Sequence, residues 1–284
     1  MSIPSHPANP TPRPGHFDDS EYVLAVGARA VRRLRLLHDI YWPAGSRALL
    51  KAGLKPGMHV ADFGCGIGAT TRSLAEAVGP NGAVTGIDLH EQQLAQAADM
   101  CAKQGFKNVS VLHADASNTG LPDGSFDLAY CRFLLIHVPD PIACLHEMRR
   151  VLKPGGLIFV EDGDLSAAGS VPATPLNEFG RLWAALGPKK GLDYLLGRDL
   201  YHLVTRAGFQ NAEIEIHQPA YPRNDERRAL LMWSVEEAGK GFVDAGLVTQ
   251  EQLDRILAAM QVAMDNPDVL VLMPRMSLVW ARKR

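Results

Sequence analysis

Between about residues 50 and 165 the hydrophobic positions follow two alternating rhythms. "MHVADF", "GAVTGID", "NVSVLHAD", "SFDLAYCRF" and "GLIFVED" are short apolar runs, and each reads as a strand. Between them, Ala69 to Val78, Glu91 to Gln104 and the stretch "IACLHEMRRVL" carry helical spacing. Asp140 caps that last helix, and Pro141 stands at its first position, where a missing N–H costs nothing. "KPGG" ends it, because Pro154 cannot continue a helix. Short strands alternating with helices predict an α/β fold with a parallel sheet covered on both faces.

The flanks have other rhythms. Val23, Val26, Ala30, Leu34 and Leu37 fall near helical spacing, so Asp18 to about Ala52 reads as helix, interrupted by Pro43 and Gly45. Residues 165 to 190 are rich in small residues and proline around one helical stretch, "NEFGRLWAAL". Gly197 to Ala207 reads as a helix and "NAEIEIHQ" alternates as a strand does. Two helices follow, at about Asp225 to Ala245 and Thr249 to Met264, the second opened by a Thr249/Gln252 capping box. "RMSLVWARK" reads as a last strand. The expected organisation is one catalytic domain. It comprises a Pro-rich disordered arm (1–17), a helical cap (18–52), a core (53–164), a helical insert (165–207) and a sheet completion with a helical insertion (208–284).

The chemistry gathers at "VADFGCGIGATT". Gly64, Gly66 and Gly68 turn a strand into a helix, let the backbone approach a ligand, and aim the unsatisfied N–H groups of the helix start at it. The run fits G-x-G-x-x-G/A, and Asp88 stands 20 residues beyond Gly68, so an NAD site is a rival reading. Asp62, two residues before the first glycine, tilts the choice. A carboxylate there repels pyrophosphate and favours an ammonium or sulfonium. S-adenosylmethionine carries both and has no phosphate.

"VADFGCGIGATT" resembles motif I of the class I S-adenosylmethionine-dependent methyltransferases, in particular the small-molecule kind. "VTGIDLHEQQLAQA", "LHADASNTGLPDGSFDLAYCRFLLIHVPDP" and "MRRVLKPGGLIFVED" resemble the segments that follow it in that family, in the same order. The resemblance covers roughly residues 50 to 165. It implies a Rossmann-like, seven-stranded, mostly parallel sheet of order 3-2-1-4-5-7-6, with helices on both faces and a helical lid insertion. It also implies a cofactor site of Tyr22, Asp62, Gly64, Cys65, Gly66, Gly68, Asp88, Leu89, Gln93, Asp115, Ala116, Arg132 and His137. In that set Asp88 accepts from the ribose hydroxyls beside the apolar Leu89. Asp115 accepts from the adenine amine and Ala116 offers a backbone contact. Carbonyls of the glycine loop and near Arg132 hold the ammonium. Asp115 equally suits a cap of the turn at "ASNTG", and Arg132 a surface charge. Tyr22 is implied to fold over the cofactor, and it equally suits packing on the sheet.

Methyl transfer needs a nucleophile held in line with the C–S bond, and a base where that nucleophile is a hydroxyl. His137, Glu161 and Asp162 are the base candidates, with Asp193 and Tyr194 behind them. No D/N-P-P-Y/F tetrapeptide follows the fourth strand, where "CRFL" stands instead, which counts against the amino-group methyltransferases that carry it. Phe179, Trp183, Tyr194, Tyr201 and His202 in the insert suit a pocket for a flat, greasy acceptor, or the insert's own core. Met232, Trp233 and Phe242 belong to a second helical addition.

Composition narrows the partners. The net charge is −2 over 284 residues, so nothing biases the chain toward nucleic acid. No apolar run is long enough to span a bilayer, and the N-terminus lacks the apolar core of a signal peptide. Cys65, Cys101, Cys131 and Cys144 form no C-x-x-C pair, so neither a zinc site nor a disulfide is expected, which suits the cytoplasm. The expected function is methyl transfer from S-adenosylmethionine to an O, N or C atom of a small phenolic, quinone-like or natural-product acceptor. A homodimer is among the expected assemblies. The alternatives are an S-adenosylmethionine-binding protein that does not methylate, and an NAD-dependent oxidoreductase.

Overall fold

The computed structural model describes residues 28–284, so Tyr22 and the Pro-rich arm lie outside the described residues. Its ten strands are β1 (His59–Phe63), β2 (Ala83–Asp88), β3 (Val109–His113), β4 (Phe126–Arg132), β5 (Leu152–Asp164), β6 (Gly169–Val171), β7 (Gln210–His217), β8 (Ala220–Tyr221), β9 (Leu270–Leu272) and β10 (Arg275–Arg282). Seven of them form one sheet of order β3-β2-β1-β4-β5-β10-β7. Strands β1 to β5 pair in parallel, and β10 runs antiparallel to both of its neighbours. This is the expected order, with the last strand inserted between the fifth and the sixth. The fold is Rossmann-like.

The sheet is apolar because it is covered. Val60, Val84, Leu128 and Ile158 have no exposed surface. The covering helices of the core are α2 (Ala69–Val78), α3 (Glu91–Lys103) and α4 (Pro141–Val151), each returning the chain to start a parallel neighbour. Asp140 accepts the amide of Ala143 at 3.0 Å, the cap that the sequence announces. The order of strands reverses between β1 and β4, and an open parallel sheet leaves a crevice at the carboxyl ends there.

Two expectations about helices need correction. Helix α1 (Ala28–Ala52) passes straight through Pro43 and Gly45. Pro43 lies on the exposed side, where the carbonyl it leaves unpaired can reach water. Gly45 is a site of close approach, since a Cβ there would lie 2.6 Å from a carboxylate oxygen of Glu161. The segment 225–245 is likewise not one helix but α7 (Ala229–Glu237) and α8 (Gly239–Asp244). The break falls at Ala238, just before Gly239, where a Cβ would meet Leu253 at 2.7 Å.

The insert contributes α5 (Glu178–Lys190) and α6 (Leu200–Arg206), and the second addition ends in α9 (Gln250–Asp265). The capping box of α9 is present, with Gln252 N–H donating to Thr249 Oγ1 and Thr249 N–H to Gln252 Oε1. A small antiparallel sheet, β6-β9-β8, ties the insert to the chain just before β10. Its strands are two or three residues long, too short to show an alternating pattern.

Candidate active site

The glycine turn follows directly on β1. Gly64, Gly66 and Gly68 all have positive φ (68°, 54° and 79°), the left-handed region that side chains other than glycine rarely enter. They do different work. A Cβ on Gly64 would sit 2.8 Å from Leu134, whereas one on Gly68 would sit 2.7 Å from Ala97. Gly68 therefore packs the start of α2 on α3 and stays off the cavity wall, while Gly64 and Gly66 line it.

The cavity, about 610 Å³, runs over the carboxyl ends of β1, β2 and β4 and continues beneath the insert. Asp88, the last residue of β2, holds the turn in place. Its Oδ2 accepts the amide of Gly66 at 2.8 Å, and its Oδ1 accepts the amide of His90 at 3.0 Å. A carboxylate oxygen has two lone-pair sites, so acceptor capacity remains toward the cavity. Leu89, Gln93, Asp115, Ala116 and Cys65 share that wall, so the structure gathers most of the expected cofactor residues. Asp115 also caps its own turn, accepting the amide and hydroxyl of Ser117 at 2.7 Å each.

Asp62 stands elsewhere. It is 2% exposed, accepts the hydroxyl of Thr71 at 2.6 Å, and does not line the cavity. Burial raises its pKa to about 7, against the opposing bond from Thr71, so it is not a fully charged group at neutral pH. Its place is beneath the turn, where it anchors α2. The repulsion of pyrophosphate expected from it therefore does not act by contact.

The three base candidates separate in the same way. His137 lines the cavity, edge-on to the ring of Tyr194 at 5.7 Å. Burial, aided by the charge of Arg33, lowers its pKa to about 3, so it is neutral throughout the physiological range. Glu161 and Asp162 are fully buried and off the wall. Glu161 accepts the hydroxyl of Tyr130 at 2.6 Å, and burial raises its pKa. Asp162 accepts the amides of Leu135, Ile136 and Gly163 and so positions the turn that carries His137; burial raises it to about 7.

Beneath the insert the wall changes character. Phe179, Trp183, Leu192, Tyr194, Leu230 and Ser234 face the same cavity. Trp183 stacks edge-on with Tyr194 at 4.7 Å and with Phe242 at 5.5 Å, so cavity wall and insert core are one cluster. Tyr201, His202, Met232 and Trp233 are not on the wall, and neither is Asp193. Sequence reasoning missed His38, Thr70 and Arg33. The latter two line the cavity, and His38 bonds to Arg132 behind it. Their elements were legible, but nothing in a helical pattern says which polar residue turns inward.

The lining is compatible with an adenosyl compound, since Gly64 and Gly66 leave room on the wall beside the acceptors Asp88 and Asp115. Comparison with known proteins agrees. Residues 60–156 match the methyltransferase domain family. The demethylmenaquinone methyltransferase of Staphylococcus aureus is 41% identical over 142 residues, which is 50% of this chain and 53% of that protein. The chain thus spans about half the length of the curated relatives it matches. Among solved structures, phosphoethanolamine N-methyltransferase 2 of Haemonchus contortus, in complex with S-adenosylhomocysteine, superposes with a TM-score of 0.56. The two are 18% identical, over 88% of this chain and 56% of that one. The cyclase SpnF superposes with a TM-score of 0.51 at 21% identity, over 85% of this chain and 80% of that one. In strand order, glycine turn and the matched stretch 60–156, this chain is similar to the class I S-adenosylmethionine-dependent methyltransferases.

Proposed function

We propose that this chain transfers the methyl group of S-adenosylmethionine to an O, N or C atom of a small, flat, largely apolar acceptor of phenolic or quinone-like type. One observation carries the reading. A single cavity joins the glycine turn and Asp88 to the rings of Phe179, Trp183 and Tyr194. Its volume is in the range of small-molecule sites, and its far end suits an aromatic body better than a polymer chain. The name of the demethylmenaquinone methyltransferase relative supports a quinone-like acceptor.

The cofactor supplies an already activated methyl group. The chain's part is to bind, orient and exclude water, with residues 165–207 serving as the lid. A neutral His137 accepts a hydrogen bond from the acceptor and orients it, while its low proton affinity makes it a poor general base. This favours an acceptor that ionises readily or reacts at carbon or nitrogen. A fold shared with a cyclase does not fix the reaction, so transfer itself is the thing to measure. The protein is incubated with methyl-labelled S-adenosylmethionine and with fractions of a cell extract. Label in extractable small aromatic compounds is expected. Label confined to RNA or protein, or none with any fraction despite cofactor binding, rejects the reading.

A further inference from the structure

Among the described residues two arginines line the cavity. Arg132 ends β4 near the glycine turn, tied to Thr70 and His38. Arg33 of α1 stands on the other half, with Leu34 and Leu37 of its own helix and Leu230 and Ser234 of α7. It is 4% exposed, and its Nε donates to Glu237 Oε2 at 2.8 Å. Leu230, Ser234 and Glu237 follow at spacings of four and three, so they share one face of α7. Glu237 itself is off the wall. The carboxylate holds the guanidinium from behind, and the cation meets the cavity. Among the described residues Nη1 and Nη2 of Arg33 have no acceptor. The guanidinium nitrogens that the fold seals off without a partner belong to Arg132, Arg149 and Arg228, so those of Arg33 keep their opening. A guanidinium keeps its proton, and its free N–H groups call for acceptors.

The surroundings leave the charge of Arg33 available. It reaches His137, on the turn after β4, which stays neutral. Tyr194 of the insert brings only a hydroxyl to this half. The carboxylates on the wall, Asp88, Asp115 and Asp140, stand at the strand ends and at the start of α4. Burying an ion pair such as Arg33 and Glu237 costs desolvation. Holding α1 on α7 does not require it, because Arg32 already lies over the ring of Trp233 at 4.4 Å. The free end of the guanidinium suits an anionic oxygen, with which it forms a charge-assisted pair.

We propose that Arg33, positioned by Glu237, receives the oxygen of the acceptor in its ionised form, so that the site selects phenols and enols as phenolate or enolate. The proposal rests on the reading that the ring-lined half takes a flat acceptor, and it adds the acceptor's charge state. An acceptor that binds ionised has already given its hydroxyl proton to solvent and needs no base on the wall. Glu237 is a positioning residue. It sets the plane of the guanidinium and moderates its charge.

The test is spectroscopic titration of 4-nitrophenol, whose phenolate is coloured, with the full chain saturated by S-adenosylhomocysteine; nitrobenzene is the uncharged control. Wild type binds the phenolate about 10-fold more tightly than the neutral phenol, so the bound probe ionises about one pH unit lower than in buffer. Arg33→Gln loses or reverses that preference, because an apolar wall favours the neutral form. Glu237→Gln removes the opposing charge and enlarges the preference. A pair that only ties α1 to α7 would make both variants shift the probe in the same direction. Glu237→Gln decides the matter if Arg33→Gln fails to fold, since an unchanged or smaller preference there contradicts the proposal. Shifts of one direction in both variants, or a wild type that binds nitrobenzene and the probe alike at every pH, overturns the proposal and leaves the acceptor reading intact. A wild type that binds neither compound overturns both.

Discussion

The two halves of the cavity are made from different parts of the amino acid. Over β1, β2 and β4 the wall is main chain and short side chains, namely Gly64, Gly66, Asp88 and Asp115. Under the insert it is ring bodies on helix faces and loops, namely Phe179, Trp183 and Tyr194. The first half recognises by the direction of hydrogen bonds, which the sheet fixes. The second recognises by shape, which packing fixes and which can be redrawn by changing a few side chains. One half is thus fixed by the main chain, and the other is open to change by substitution.

Breaking the fixed half has the largest effect. Asp88→Ala removes the brace of Gly66 and, on the proposed reading, the acceptor of the ribose hydroxyls, and is expected to weaken S-adenosylmethionine binding about 100-fold or more by calorimetry. Breaking the other half gives the mirror image. Trp183→Leu lowers kcat/KM for the acceptor about 10- to 50-fold while the cofactor Kd stays within about 2-fold. A comparable loss of cofactor affinity in that variant would erase the distinction between the halves.

His137 sits at the seam, and its titration sharpens the comparison. Its pKa is lowered to about 3 in the folded protein, below the ordinary 6.5, so the unfolded chain takes the proton first. Wild type therefore loses stability as pH falls below about 6.5, continuing toward pH 3. His137→Gln removes its own share of this loss, while His38, also lowered to about 3, keeps the rest. The variant's stability relative to wild type rises by up to about 1.4 kcal/mol per pH unit on acidification below 6.5, read from denaturant melts. The smallest effect is expected at Asp62. Asp62→Asn keeps an acceptor for Thr71 and changes cofactor Kd by no more than about 3-fold, because the group is off the wall. A 10-fold loss there would restore a direct electrostatic role.

The same contrast explains what the sequence disclosed. The glycines, Asp88 and Asp115 were legible because strand ends and turns tie a residue's position in the chain to its position in space. The insert was legible only as aromatic helices. Whether Trp183 or Tyr201 meets the cavity depends on how α5 and α6 lie on the core, and spacing does not encode that. Pro43 misled for a related reason: a breaker on the solvent side of a packed helix is tolerated. Glu161 and Asp162 misled because an acid at a strand end looks alike whether it faces a ligand or holds a neighbouring turn, as Asp162 holds the amides of Leu135 and Ile136.

The central claim is that the adenosyl cofactor lies across the strand ends and leaves the ring-lined half open for the acceptor. Amide hydrogen exchange with and without S-adenosylhomocysteine tests it most directly. The account predicts new protection in residues 64–69, 88–93, 114–118 and 132–138, with α9 unchanged. Protection confined to the insert, with the glycine turn exchanging as before, would contradict it.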